Sequence, residues 1–146
     1  SISPSRRPRP DRTLDLARHL AAIAFLVPDY DSGIAWFRDI LGFALIADLD
    51  MGGGKRWVVV AGEAGARIVL AKAEGATQTA AIGAAAGGRV GYFLETDDFA
   101  RDHAAFSASG VKFLEEPRHE PYGTVAVFAD PWGGKWDLIQ PARAAT

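Results

Sequence analysis

The chain writes one pattern twice, and no other feature constrains its fold as tightly. The stretch AAIAFLVPDYDSGIAWFRDILGF (Ala21–Phe43) is an apolar run, an Asp-rich turn, an amphipathic segment and a Gly-Phe stop. GYFLETDDFARDHAAFSASGVKF (Gly91–Phe113) repeats that order. Asp29 and Asp98 stand 69 residues apart, as do Phe37 and Phe106; after Gly110 the spacing is 68, pairing Gly65 with Gly133. A spacing held across strand, helix and turn signals marks an internal duplication.

Each copy reads as β-α-β-β-β. In the first, Ile23 to Val27 are β formers halted by Pro28 and Asp29. Asp29 or Asp31 suits a helix N-cap, because a short carboxylate accepts bonds from free backbone N–H groups. Ile34, Phe37, Ile40 and Leu41 make one apolar helical face, and Gly42 ends it. Strands follow at Phe43–Ile46, Arg56–Ala61 and Arg67–Ala71, with turns at MGGGK and EAG. In the second copy, Val90–Thr96 is a strand, and Asp97 and Asp98 cap a helix carrying Phe99, Ala105 and Phe106. Val111–Leu114, Thr124–Phe128 and Trp136–Ile139 are its further strands, with DPWGG (Asp130–Gly134) as the last hairpin turn. One such unit cannot bury both faces of its sheet. Two are therefore expected to form an α+β fold with a cupped mixed β-sheet and a central cavity. The expected layout is a basic tail (1–18), a first module (19–72), a flexible Gly/Ala-rich linker (73–88) and a second module (89–141).

The 146 residues suffice for one such domain, and a 49% hydrophobic composition supports a packed core. A net charge of −2 gives no electrostatic reason to expect nucleic acid. Arg6, Arg7, Arg9, Arg12 and Arg18 cluster among prolines and read as a solvated tail. Without cysteine, disulfides, thiolate metal sites and a Cys nucleophile are excluded. No apolar run approaches the roughly 20 residues that span a bilayer, and the first residues lack a signal-peptide core. The expectation is a cytoplasmic protein with no membrane partner.

Three phrases carry a family resemblance: FLVPDYDSGIAWFRDILGF, ETDDFARDHAAFSASGVKFLEEP and YGTVAVFADPWGGKWDLIQP. They span about Ala22 to Pro141. Together they resemble the vicinal oxygen chelate superfamily of glyoxalase I, bleomycin- and fosfomycin-resistance proteins and extradiol dioxygenases. The resemblance implies a homodimer. It also implies a divalent metal held by residues from the first and last strands of each module. Those positions are Ala22, Val69, Gly91 and Asp137 here. Of these only Asp137 has a ligating side chain, and catalytic metal sites use three or more protein ligands. A lone carboxylate would hold a divalent ion weakly, so no cofactor is expected. His19 is three residues before Ala22, which on a strand is the opposite face. His103 falls on the second helix and His119 in the loop EEPRHEPYGT.

Residues two apart on a strand share a face. Ala24 and Leu26 then join Ala22; Arg67 and Ala71 join Val69; Phe93 and Glu95 join Gly91; Lys135 and Ile139 join Asp137. This sketches a floor of small and apolar groups with Arg67, Glu95, Lys135 and Asp137 around it. The four charges either pair with one another at strand ends, or Asp137, buried beside Glu95, takes an acid/base role with it. Trp57, Phe93 and Tyr122 are expected as flat ligand walls. Trp136 is expected under the helices, and Trp132 at a hairpin tip capping a cavity or an interface. EEPRHEPYGT is either a polar connection or a lid. MGGGK and GGKW lack the spacing of a P-loop.

Two functions follow. One is a glyoxalase/bleomycin-resistance-like protein that binds a small, partly aromatic organic molecule without a metal. The other is a lyase, isomerase or dioxygenase of the glyoxalase type, with a rearranged metal site or metal-free acid/base chemistry by Asp137 and Glu95. A purely structural or protein-binding role is the weakest reading.

Overall fold

Asp29 starts the first helix: its Oδ1 accepts the Ser32 N–H at 2.8 Å, while Asp31 sits inside the first turn. Asp98 does the same for Arg101 N–H at 3.0 Å. In the computed structural model, which describes residues 17–143, these caps open α1 (Tyr30–Ala35) and α3 (Phe99–Ala108). Arg6, Arg7, Arg9 and Arg12 lie outside the described residues, and Arg18 is exposed.

The first sheet runs β1-β4-β3-β2, built from β1 (Ala22–Val27), β2 (Ala44–Gly52), β3 (Lys55–Ala61) and β4 (Arg67–Lys72). The second runs β5-β9-β8-β6, with β5 (Val90–Glu95), β6 (Lys112–Phe113), β8 (Gly123–Ala129) and β9 (Lys135–Pro141). In each, the first and last strands pair in parallel and the others antiparallel. The class is α+β with two mixed sheets, as the repeat requires.

Four local expectations change. EEPRHEPYGT is not an irregular connection: β7 (Arg118–Glu120) pairs with β8, making a hairpin. The linker holds the short helix α2 (Gly75–Ala81), which is largely exposed, and makes its close approaches after it, at Gly83 and Ala86. Gly83 there has φ +72°, and a Cβ on it would collide with the Trp132 carbonyl, so the segment is seated rather than loose. Ala105 is exposed, and the inward positions of α3 are Phe99, His103 and Phe106. The His103 ring lies between Phe99 and Phe113, with centroids at 5.4 and 4.1 Å. After Ala35 the first helix widens into a π-helical turn over Trp36–Ile40, closed by Leu41 N–H to Trp36 O. The extra residue in that turn brings Trp36 and Phe37 inward together.

One core joins both units. Phe25, Trp36 and Phe37 of the first meet Trp136 of the second, with ring centroids 6.2, 5.5 and 5.9 Å away. Tyr92 stacks on Trp136 at 4.6 Å. Trp132, expected as a cap, packs instead against Phe25 and Trp36, both at 5.8 Å. All the aromatic groups involved come from the helix-bearing side of each sheet, which leaves the opposite faces open.

Asp130 holds this core together from below. It is the buried carboxylate of the DPWGG turn, 5% exposed. Its Oδ1 accepts Trp132 N–H at 2.9 Å and Gly134 N–H at 2.8 Å; its Oδ2 accepts the Trp136 indole N–H at 3.0 Å. Asp130→Asn would turn an amide N–H₂ toward the indole donor or toward the two backbone donors. It should cost about 1–3 kcal/mol, the range for a lost charge-assisted or unsatisfied buried bond. Urea unfolding checks this. In a Trp136→Phe background, where the indole donor is gone, the same substitution should cost clearly less; equal costs would disconnect the two side chains.

Candidate functional site

Strand register determines what the open faces carry. In the first sheet Ala24 pairs with Val69, Val69 with Val59, and Ala22 with Arg67. Trp57, two residues from Val59, shares that face and pairs with Leu49. The result is a smooth surface of Ala22, Ala24, Val59 and Val69, rimmed by Arg67, Trp57 and Leu49. Trp57 is 45% and Leu49 57% exposed, large areas for apolar side chains that the chain's own core does not use.

In the second sheet Phe93 pairs with Asp137 and Asp137 with Val127. Glu95 pairs with Ile139, Ile139 with Val125, and Val125 with Arg118, so Arg118 shares this face. Phe93 is 68% exposed. Arg118 is clamped: its Nε donates to both Glu115 oxygens at 3.1 Å, and its Nη1 to Glu120 at 2.7 Å and to the Tyr122 hydroxyl at 3.5 Å. Glu115 Oε2 also accepts the N–H of Val127, the cross-strand partner of Asp137, at 3.0 Å. Tyr122, expected as a free wall, is thus part of the Arg118 clamp, though still exposed.

Asp137 is the chemically distinctive group. Its Oδ1 is buried with no hydrogen-bond partner. Burial pushes its carboxyl pKa up; Arg118 pulls it back down and Glu115 adds to the rise. The sequence singled out Asp137 but named the wrong neighbours. Among the described residues no ion pair joins Asp137 to Lys135 or Arg67, and the carboxylate acting on it is Glu115, not Glu95. Glu95, Arg67 and Lys135 are exposed. Arg118, Glu115 and Glu120 escaped sequence reasoning. The available signal was the alternation Arg118, Glu120, Tyr122, which is strand spacing inside a stretch rich in Pro and Gly.

Gly91 stands apart from the floor drawn for it. It falls in a register irregularity between Val90 and Tyr92, and a Cβ there would meet the Ala86 methyl at 2.9 Å. Glycine at this place makes room for the linker. With Leu26 and Lys135 it lines a seam cavity of about 20 Å³, the size of one water. The four positions implied for a metal therefore hold Ala22, Val69 and Gly91, which have no donor side chain, and Asp137. Among the described residues no three His, Asp or Glu side chains come together to hold a metal ion. The residues present do not fit the family's usual divalent centre. Among the described residues, too, no helix is long and apolar enough to cross a membrane.

Comparison with known proteins agrees with this architecture. The family model for the Glyoxalase/Bleomycin resistance protein/Dioxygenase superfamily matches residues 19–138. An uncharacterized protein of Shewanella frigidimarina is 44% identical over 128 residues, 86% of this chain and 95% of that one. Among solved structures, TnmS3 from a Streptomyces species, described as an antibiotic binding protein, is 30% identical with a TM-score of 0.72, covering 87% of this chain and 99% of that one. A glyoxalase/bleomycin resistance protein from the same Streptomyces is 30% identical with a TM-score of 0.60, covering 82% and 99%. Repeat, sheets and open faces converge on one conclusion: the chain belongs to the Glyoxalase/Bleomycin resistance protein/Dioxygenase superfamily.

Proposed function

We propose that this protein binds a small, partly aromatic organic molecule on its open sheet faces, without the usual divalent metal, and acts by sequestering it. The observation that carries the reading is Phe93 and Trp57, 68% and 45% exposed, on faces where only Asp137 of the four family metal positions has a donor side chain and Ala22 and Val69 are apolar floor. Flat side chains over small residues suit a flat ligand. Similarity to a protein described as antibiotic binding supports the same reading.

Each open face is shallow alone. The first is apolar with Arg67; the second carries Glu95, Glu115, Glu120 and Asp137 against Arg118 and Lys135. In a homodimer, the first-sheet face of one copy would cover the second-sheet face of the other, enclosing two equivalent sites. Mixing checks this. Trp57→Ala and Asp137→Ala homodimers should each bind weakly, while exchanged heterodimers keep one intact site and recover about half the capacity. Mixtures no better than either parent, or a monomer in sedimentation, would sink the shared site.

Metal-free acid/base chemistry at Asp137 is the second reading, favoured by the upward pull of burial on its carboxyl. Metal-free isomerisation of hemithioacetals that is lost in Asp137→Asn would establish it over sequestration. Calorimetry with Zn²⁺, Ni²⁺, Mn²⁺ and Fe²⁺ should show no stoichiometric binding; a tight site abolished by Asp137→Ala would overturn the metal-free reading.

The raised Asp137 pKa has a stability consequence of definite sign. Folding favours its protonated form, so its contribution is fully present below the ordinary carboxylate pKa and is lost as pH rises through the folded value. Relative to Asp137→Asn, the parent protein should be most stable in acid and lose ground toward neutrality, read from urea midpoints across a pH series. A difference that stays flat or grows with pH would contradict the assignment.

A further inference from the structure

We propose that Asp137 and Arg118 together read a neutral ligand group with a hydrogen-bond acceptor beside a donor, as in a carboxamide or a hydroxyl next to a carbonyl. This rests on the binding function proposed above and narrows the ligand class.

The two side chains share the open face of the second sheet, with β8 between them. Arg118 is opposite Val125 and Asp137 is opposite Val127, so the two charged groups flank β8 on one face. Three fixed contacts hold the guanidinium: Glu115 on Nε, Glu120 and Tyr122 on Nη1. Among the described residues Nη2 donates to nothing, so one edge of a rigid fork remains for an acceptor. Asp137 is the converse. No described residue donates to its carboxylate, and its sealed Oδ1 leaves the group short of hydrogen bonds. Oδ2 is the oxygen that is not sealed in, and a ligand donor there would give the carboxylate a hydrogen bond.

Charge excludes the simpler partners. Arg118 is already flanked by Glu115 and Glu120, and Asp137 adds a third carboxylate, so a ligand anion would gain one guanidinium edge and face three negative groups. A ligand cation would be drawn by the three carboxylates, but an ammonium has no acceptor for the free Arg118 edge and would leave that donor unused. A neutral group takes both bonds and meets neither penalty, which is how a site discriminates by penalising competitors. Phe93, the cross-strand partner of Asp137, gives the attached ring a flat surface.

The test uses three probes with one ring: naphthamide, naphthoate and naphthylmethylammonium. Each is titrated into the unmodified full chain, and binding is read from amide shifts of Phe93 and Val127 and from the Trp57 indole. Naphthamide should bind at least about tenfold more tightly than either charged probe, the worth of one well-made buried hydrogen bond. Asp137→Leu and, separately, Arg118→Lys should each lower naphthamide affinity more than that of the charged probes, so that most of the preference is erased. Tightest binding by the ammonium probe, tightest binding by the carboxylate, or equal binding of all three would overturn the proposal. Each of these leaves the binding function standing, because the ring still docks. Absence of shifts on either face with every probe would overturn both.

Discussion

The Asp130 carboxylate reaches two backbone N–H groups of its own turn and the indole N–H of Trp136, and the rest of the fold hangs on that arrangement. A buried charge is costly unless its bonding capacity is filled. Here filling it fixes two things at once. The DPWGG turn is closed, which sets the register of β8 against β9. The Trp136 ring is held in the orientation that meets Phe25, Trp36 and Phe37 from the other half. The last hairpin turn is therefore also the joint between the duplicated units.

Joining the halves this way decides where function can sit. Large apolar side chains from the helix-bearing faces are consumed by the shared core, so ligand chemistry is left to the opposite faces. Those faces carry smaller residues and a few large aromatic groups that no described residue covers. Trp57 and Phe93 are exposed because the core is complete without them. The same logic explains why the absence of donors at Ala22, Val69 and Gly91 does not damage the fold: none of these positions supports the core.

Periodicity carried most of the architecture. The repeat, the order of elements, both helix caps and the inward Trp136 follow from spacing and from what Asp, Gly and alternating apolar residues do locally. The failures share a cause: each depends on one residue of register that local preference does not encode. The π-helical turn adds one residue and buries Trp36 beside Phe37. The irregularity at Gly91 turns an apparent floor residue toward Ala86. The linker looked loose by composition, yet its small residues are what let it pack against Trp132 and β5. At the site, Asp137 was legible from the family pattern and its neighbours were not. Arg118 and Glu115 reach it across β8, and that adjacency exists only once β7 is paired.

The two halves have diverged most at one edge strand, and the charged cluster stands there. At the 68-residue spacing that matches Gly65 to Gly133, β3 corresponds to β8, and the continuous β2 corresponds to the segment 112–120. There the strand is broken into β6 and β7, with Pro117 between them. Proline has no N–H for a ladder, so an unbroken edge strand is disfavoured at that point. The β8 backbone still needs an acceptor for Val127 N–H, and the Glu115 side chain supplies it. Once Glu115 is anchored to the sheet, it can orient Arg118, and Arg118 together with Glu115 sets the charge around Asp137. A break in one strand thus converts a backbone hydrogen bond into a side-chain network on the open face. The first half, whose edge strand stayed whole, has its own network, Arg56 with Asp48 and Asp31, on the helix-bearing side and presents Trp57 and Leu49 on the open face. Duplication supplied two similar faces; the break at Pro117 gave one of them a charged cluster and left the other largely apolar.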